Sequence, residues 1–138
     1  MNNNKIFIID IEVRFRDLDA LGHVNNAVFF TYFEEGRKNF SKKVFKVSNP
    51  SEFSFIMAHI SCDYLKPVRL ADRLKLQMWV KKIGKKSFDF DYKLVDRSDE
   101  SKVYATGASV QVCYDYKEDK SIAVPDEMRE KLSEYLKH

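Results

Sequence analysis

Residues 53–116 read as strand almost throughout, and a single stretch before them carries the period of a long helix. This contrast constrains the fold more than any other feature. A run from about Arg73 to Lys82 places Leu74, Leu76, Met78 and Val80 on one face. Phe88, Phe90, Tyr92 and Leu94 alternate with Asp89, Asp91 and Lys93. From Val103 to Tyr116, the residues Tyr104, Thr106, Ala108, Val110, Val112 and Tyr114 fall on one side. A further strand is predicted from about Phe53 to Lys66, stopping at Pro67. Near the start, Phe7, Ile9, Ile11, Val13 and Phe15 alternate with Asp10, Glu12 and Arg14, which predicts a strand reaching Phe15. From Asn25-Asn26 the period changes. Phe29, Phe33, Gly36 and Phe40 form one apolar stripe, so a helix is expected to end near Lys43, before an Asn49-Pro50 turn. Pro125 to Leu136 reads as a short closing helix with Pro125 near its first turn. The order strand, long helix, four strands, short helix is an α+β design.

The 138 residues suit one domain over 1–138, and no repeat, linker or low-complexity segment divides them. Eleven Phe and seven Tyr predict a ring-rich core or pocket. The net charge of +3, from 24 basic and 21 acidic residues, is too balanced to argue for a nucleic-acid partner. Cys62 and Cys113 have no metal or redox spacing, and the opening residues lack the apolar stretch of a signal sequence, so a cytoplasmic location is expected. No apolar run approaches the roughly 20 residues needed to cross a bilayer, so no membrane partner is expected.

The segment Asp17-Leu18-Asp19-Ala20-Leu21-Gly22-His23-Val24-Asn25-Asn26 gathers two carboxylates, an imidazole, a glycine and two amides where a helix begins. A helix N-terminus offers unpaired N–H groups and partial positive charge, and so can hold an oxyanion beside a carboxylate in the preceding loop. Thioester hydrolysis needs these two parts. The same residues are also common in loops: Asn25 could simply cap the helix, and Asp17 could pair with Arg14 or Arg16. No G-x-S-x-G nucleophile elbow occurs, and no His/Cys/Asp spacing suggests a metal site.

The pattern Phe15-x-Asp17-x-Asp19-x-x-Gly22-His23-Val24-Asn25-Asn26, with Tyr32-Phe33-Glu34-Glu35-x-Arg37, closely resembles the 4-hydroxybenzoyl-CoA thioesterase family, and is similar to the acyl-ACP thioesterases. Tyr64-x-x-Pro67 with Asp72, and Gly84-Lys85-Lys86-Ser87-Phe88, extend the resemblance over residues 6–116. It implies a hotdog fold, an antiparallel sheet wrapped around a long central helix. It also implies acyl-CoA hydrolysis to a free acid and CoA, with no metal and no cofactor beyond the CoA of the substrate. Asp19 matches the catalytic carboxylate, acting as nucleophile or general base, and the Asn26 N–H matches the oxyanion donor. Gly22 lets the backbone turn close to the thioester, while His23 and Asn25 match positions that orient the carboxylate or water. Lys85, Lys86 and Ser87 match the segment that contacts CoA. The acyl-ACP enzymes typically carry Asn where this chain has Leu21, which tilts the choice toward CoA. The resemblance further implies a homodimer or homotetramer with sites at the subunit interface. A non-catalytic acyl-CoA binding protein is the remaining alternative. Phe29 and Phe30 are candidates for the acyl wall, against ordinary core packing. Glu34 and Glu35 lie on the long helix, where some hotdog thioesterases place their carboxylate, but read as a solvated face pairing with Lys38; His59 sits in a strand and could point toward the site, but reads as a structural histidine.

Overall fold

The computed structural model describes residues 4–47 and 54–137. The Asn49-Pro50 turn and the expected strand start at Phe53 lie outside the described residues. Among the described residues, six strands and two helices follow in the order β1 (Phe7–Ile11), α1 (Asn26–Lys43), β2 (Phe55–Tyr64), β3 (Leu74–Ile83), β4 (Ser87–Asp96), β5 (Val103–Asp115), β6 (Lys120–Ser121) and α2 (Asp126–Ser133). All pairings are antiparallel, in the spatial order β1-β3-β4-β5-β2, with the short β6 added beside β5. Consecutive β1 and β2 therefore occupy opposite edges, and α1 crosses one face of the sheet between them. This is the hotdog arrangement.

The aromatic stripe explains why the sheet closes on α1. Phe29, Tyr32, Phe33, Gly36 and Phe40 are buried along it. Phe33 stacks on Tyr92 with centroids 4.5 Å apart, while Phe40 meets Phe7, Phe90 and Tyr135 edge-on at 5.0–5.2 Å. Two glycines permit this close approach. A Cβ on Gly36 would lie 2.6 Å from Leu76 Cδ2, and one on Gly107 would lie 2.4 Å from Phe33 Cε2.

Three sequence expectations need correction. β1 ends at Ile11, and Phe15 begins a 3-10 turn, Phe15–Asp17, where its side chain is 80% exposed. Its apolar period continues past the point where β3 stops providing a partner: Ile11 pairs with Leu74, the first residue of that strand. In β5 the helix-facing set is Ala105, Gly107, Ser109, Gln111 and Cys113, opposite Leu94, Tyr92, Phe90, Phe88 and Phe55, so Val110 and Val112 face away. The core there accepts polar groups because they satisfy one another. Arg37 donates to Tyr92 Oη at 3.1 Å, Tyr92 Oη and Ser109 Oγ are 2.6 Å apart, Ser109 Oγ donates to Gln111 Oε1 at 2.5 Å, and Gln111 Nε2 donates to the Phe88 carbonyl at 3.0 Å. Finally, α2 stops at Ser133, after which the tail runs beside β3. Val80 N–H donates to the Tyr135 carbonyl at 2.9 Å and Lys137 N–H to the Val80 carbonyl at 3.0 Å. The tail thus covers the stretch of β3 that the short β1 leaves open.

Candidate active site

The segment between the 3-10 turn and α1 is a small hairpin. Leu18 and Val24 form an antiparallel bridge, and Asp19 N–H donates to the His23 carbonyl at 2.8 Å. Gly22 N–H donates to the Asp19 carbonyl at 3.0 Å, and Gly22 has φ +79°, so a turn is followed by a left-handed residue. A Cβ at Gly22 would meet nothing within 4 Å. Glycine is therefore required by its dihedral and not by crowding.

This turn aims Asp19. Its Oδ1 accepts the Leu21 N–H at 2.9 Å and the His23 N–H at 3.3 Å. Both bonds fall on one oxygen, so the other is left for water or substrate. The hairpin leads directly into α1. Asn25 caps the helix by accepting the Ala27 N–H on Oδ1 at 2.9 Å, its carbonyl takes the Val28 N–H at 2.9 Å, and its own N–H goes to the Asp17 carbonyl at 2.9 Å. Of the first-turn N–H groups, that of Asn26 alone finds no acceptor among the described residues. The positive end of an 18-residue helix therefore presents one free donor beside a fixed carboxylate.

Asp19, His23 and Asn26 line a cleft of about 410 Å³ together with Leu21, Phe29, Tyr64 and Lys66. The second wall comes from the β2–β3 connection. Val24 N–H donates to the Val68 carbonyl at 2.8 Å, and His23 bridges Arg69. Asp72 folds that connection by accepting the Arg69 N–H at 2.8 Å. Tyr64 reaches across to donate its hydroxyl to the Asn26 carbonyl at 2.9 Å, and its ring meets Phe29 edge-on at 5.0 Å.

The structure thus brings Asp19, Gly22, His23, Asn25 and Asn26 into one unit. His23 holds Asp19 through its main chain, and the Asn25 side chain is committed to the cap. Lys85, Lys86 and Ser87 sit elsewhere, in the β3–β4 hairpin. The ten residues of β3 separate them from the Leu74 end of the sheet, where the Asp19 hairpin lies, by roughly 30 Å. Glu35 pairs with Lys38 at 3.1 Å and Glu34 is exposed, as a solvated helix face requires. His59 is exposed on β2, facing away from α1 with Val110. Of the acyl-wall candidates, Phe29 lines the cleft while Phe30 packs edge-on to Phe33 at 6.3 Å. Sequence reasoning alone does not find Tyr64 and Lys66 as lining residues. The signal for them is the Tyr64-x-x-Pro67 spacing, since Pro67 ends the strand beside the helix start.

A larger groove of about 610 Å³ runs along the free edge of β1 and the flank of α1, lined by Glu12, Arg14, Tyr32 and Glu35 among others. It holds neither a turn-fixed carboxylate nor a helix N-terminus, so size does not identify the site here.

Fold and site define the class as a hotdog-fold protein with its candidate site at the N-terminus of the central helix. The chain belongs to the Thioesterase-like superfamily, whose family model matches residues 13–132. It is 30% identical over 129 residues to the long-chain acyl-CoA thioesterase FadM of Escherichia coli (strain K12), covering 92% of this chain and 97% of that one. A thioesterase of Thermus thermophilus, solved in complex with coenzyme A and Zn, superposes with a TM-score of 0.78 at 30% identity, covering 91% and 95% of the two chains. A predicted thioesterase from Bacillus stearothermophilus gives a TM-score of 0.88 over 97% and 98% of the chains; its 22% identity supports the fold.

Proposed function

We propose that this protein hydrolyses acyl-CoA thioesters to a free carboxylic acid and CoA. The observation that carries this reading is the pairing of Asp19, pinned through one oxygen, with the unclaimed Asn26 N–H at the start of α1. Asp19 either takes a proton from the water that attacks the thioester carbonyl carbon and passes it to the departing CoA sulfur, or attacks that carbon itself to give an acyl-Asp19 anhydride that water then hydrolyses. The Asn26 N–H receives the oxyanion that develops. Gly22 holds the turn, His23 and Asn25 hold the two halves in register, and CoA leaves as the thiol. The superfamily membership and the FadM and Thermus thermophilus relatives support this chemistry. A cytoplasmic location belongs to the same reading, supported by the free thiols of Cys62 and Cys113.

The site is completed by a second copy of the chain. β2 is a ten-residue edge strand without Lys, Arg or Pro, with Ile56 and Met57 39% and 38% exposed. Such an edge is normally paired. An antiparallel twofold pairing of β2 strands carries the Lys85-Lys86-Ser87 hairpin of one chain toward the Tyr64 end of the other, where it meets the CoA phosphates. A homodimer is the minimum, and a homotetramer is two such pairs.

The test is release of free thiol from short, long and aromatic acyl-CoAs, with acyl-ACP in parallel. Asp19→Asn lowers turnover by about 10²-fold or more in a protein that stays folded. If Asp19→Asn keeps near-normal activity while Glu35→Gln loses it, the assignment fails. If wild-type protein binds acyl-CoA without steady thiol release, the protein is a binding module. If it turns over acyl-ACP and not acyl-CoA, the carrier is wrong.

A further inference from the structure

Asp17 is the one buried acid of the catalytic segment, 1% exposed, and hydrolysis as outlined above has no step for it. Its surroundings are nonetheless fully built. Oδ2 accepts the Arg14 N–H at 2.9 Å and the Tyr32 hydroxyl at 2.8 Å. Oδ1 accepts Nε and Nη2 of Arg14 at 3.2 and 3.0 Å. Its carbonyl accepts the Asn25 N–H at 2.9 Å, closing the loop from residue 17 to the helix cap. One residue therefore joins three parts: the end of the 3-10 turn, the base of the Asp19 hairpin, and the second turn of α1 through Tyr32. The distance from Asp19 to the Asn26 N–H depends on how the hairpin is held against α1; Val24 and His23 tie its outer strand to the β2–β3 connection, and the Asp17 carboxylate ties its base to α1 through Tyr32.

We infer that Asp17 is a positioning residue, holding the Asp19 hairpin and the α1 N-terminus at the separation that the reaction needs. The inference rests on Asp19 being the reacting carboxylate. A carboxylate suits the task and an amide does not. All four bonds arrive from donors, and an NH₂ group in place of either oxygen would oppose two of them. The Arg14 guanidinium also neutralises a charge that would otherwise be costly to bury. The link to rate is geometric, because a misplacement of about 1 Å costs on the order of 10²-fold when two groups must meet one carbonyl.

The experiment compares kcat, KM and Tm for Asp17→Asn, Tyr32→Phe, Asp19→Asn and the Asp17→Asn/Asp19→Asn pair. Asp17→Asn is expected to lower kcat by about 10-fold or more while KM changes less than about 2-fold. Tyr32→Phe, which removes one of the four bonds, gives the same pattern at smaller size. Because Asp17 acts through Asp19, the double variant is no slower than Asp19→Asn alone. A stability role would instead lower Tm and leave kcat of the folded protein intact, and that result overturns the inference. If Asp17→Asn does not fold, Tyr32→Phe decides: a kcat loss at constant KM supports the inference, and unchanged kcat overturns it. An active Asp19→Asn variant would instead remove the functional reading itself, which separates the two failures.

Discussion

Replacing Gly22 by alanine isolates the cost of one backbone dihedral. Gly22 sits at φ +79°, and a Cβ there would touch nothing within 4 Å. The penalty therefore contains no clash and consists of holding an L-residue in the left-handed region, about 1–2 kcal/mol. For a chain of this length that corresponds to a fall in Tm of roughly 3–8 °C. Asparagine tolerates the same region better, so Gly22→Asn loses less. Activity should fall by more than stability accounts for, since Gly22 N–H closes the turn on the Asp19 carbonyl and the next N–H, that of His23, binds Asp19 Oδ1. Thermal melts followed by circular dichroism, with thiol release measured well below Tm, check both parts. If Gly22→Ala melts with the wild type, or if Gly22→Asn is as damaged as Gly22→Ala, the dihedral argument is wrong.

Gly107→Ala places a methyl where Phe33 already lies, and should cost about 1–3 kcal/mol, read as a lower midpoint in urea with an unchanged slope. Burial pushes the Asp17 carboxyl upward, but the Arg14 N–H, the Arg14 guanidinium and the Tyr32 hydroxyl outweigh it and hold the group below the usual 3.8. The stabilisation from Asp17 is therefore complete above the unfolded value and disappears as pH falls through the lower folded one. The stability gap between wild type and Asp17→Asn, followed by denaturant titration, should narrow as pH drops below about 4. Lys86→Ala should raise KM for acyl-CoA more than it lowers kcat, with the difference shrinking at high salt; an unchanged KM at low salt removes the hairpin from the site. Ile56→Lys on the free edge of β2 should weaken the dimer in sedimentation and lower activity with it, whereas a fully active monomer would refute the two-chain site.

The elements most legible in the sequence are those whose partners impose a strict period. The α1 stripe and the alternation of β3 and β4 are read correctly because Phe33, Phe40, Leu76 and Phe90 face one continuous apolar core. Periodicity misleads where the partner is local or polar. Phe15 keeps the rhythm of β1, yet no neighbouring strand extends far enough to pair with it. In β5 the apolar side, Val110 and Val112, faces away, because Gly107 must admit Phe33 and because Ser109 and Gln111 complete the chain of hydrogen bonds from Arg37 through Tyr92. A pattern of hydrophobic residues does not encode a buried glutamine whose amide oxygen and nitrogen each find a partner.

The segment from Asp17 to Asn26 shows the complementary limit. Its residue types single out a carboxylate beside a helix start, but not which atoms do the holding. His23 invites a role for its imidazole, yet the contacts that fix Asp19 are its N–H and carbonyl. Asn25 invites a role at the substrate, yet its side chain is bound to the Ala27 N–H. The specificity of the motif thus lies largely in making one backbone path: an Asx-type turn at Asp19, a left-handed Gly22, and a cap that leaves a single N–H unclaimed. A candidate site built this way holds its carboxylate and helix N-terminus rigidly but is shallow as a cavity. Leu21 and Leu65 stand 79% and 57% exposed at its rim, and the charged hairpin at residues 85–87 lies at the far end of the same chain. Exposed apolar side chains around an open cleft, next to an unpaired strand edge, are the features that a second protomer would cover. On the proposed function, one chain would supply the chemistry of the site, and a second copy would supply the grip on CoA and the depth of the acyl pocket.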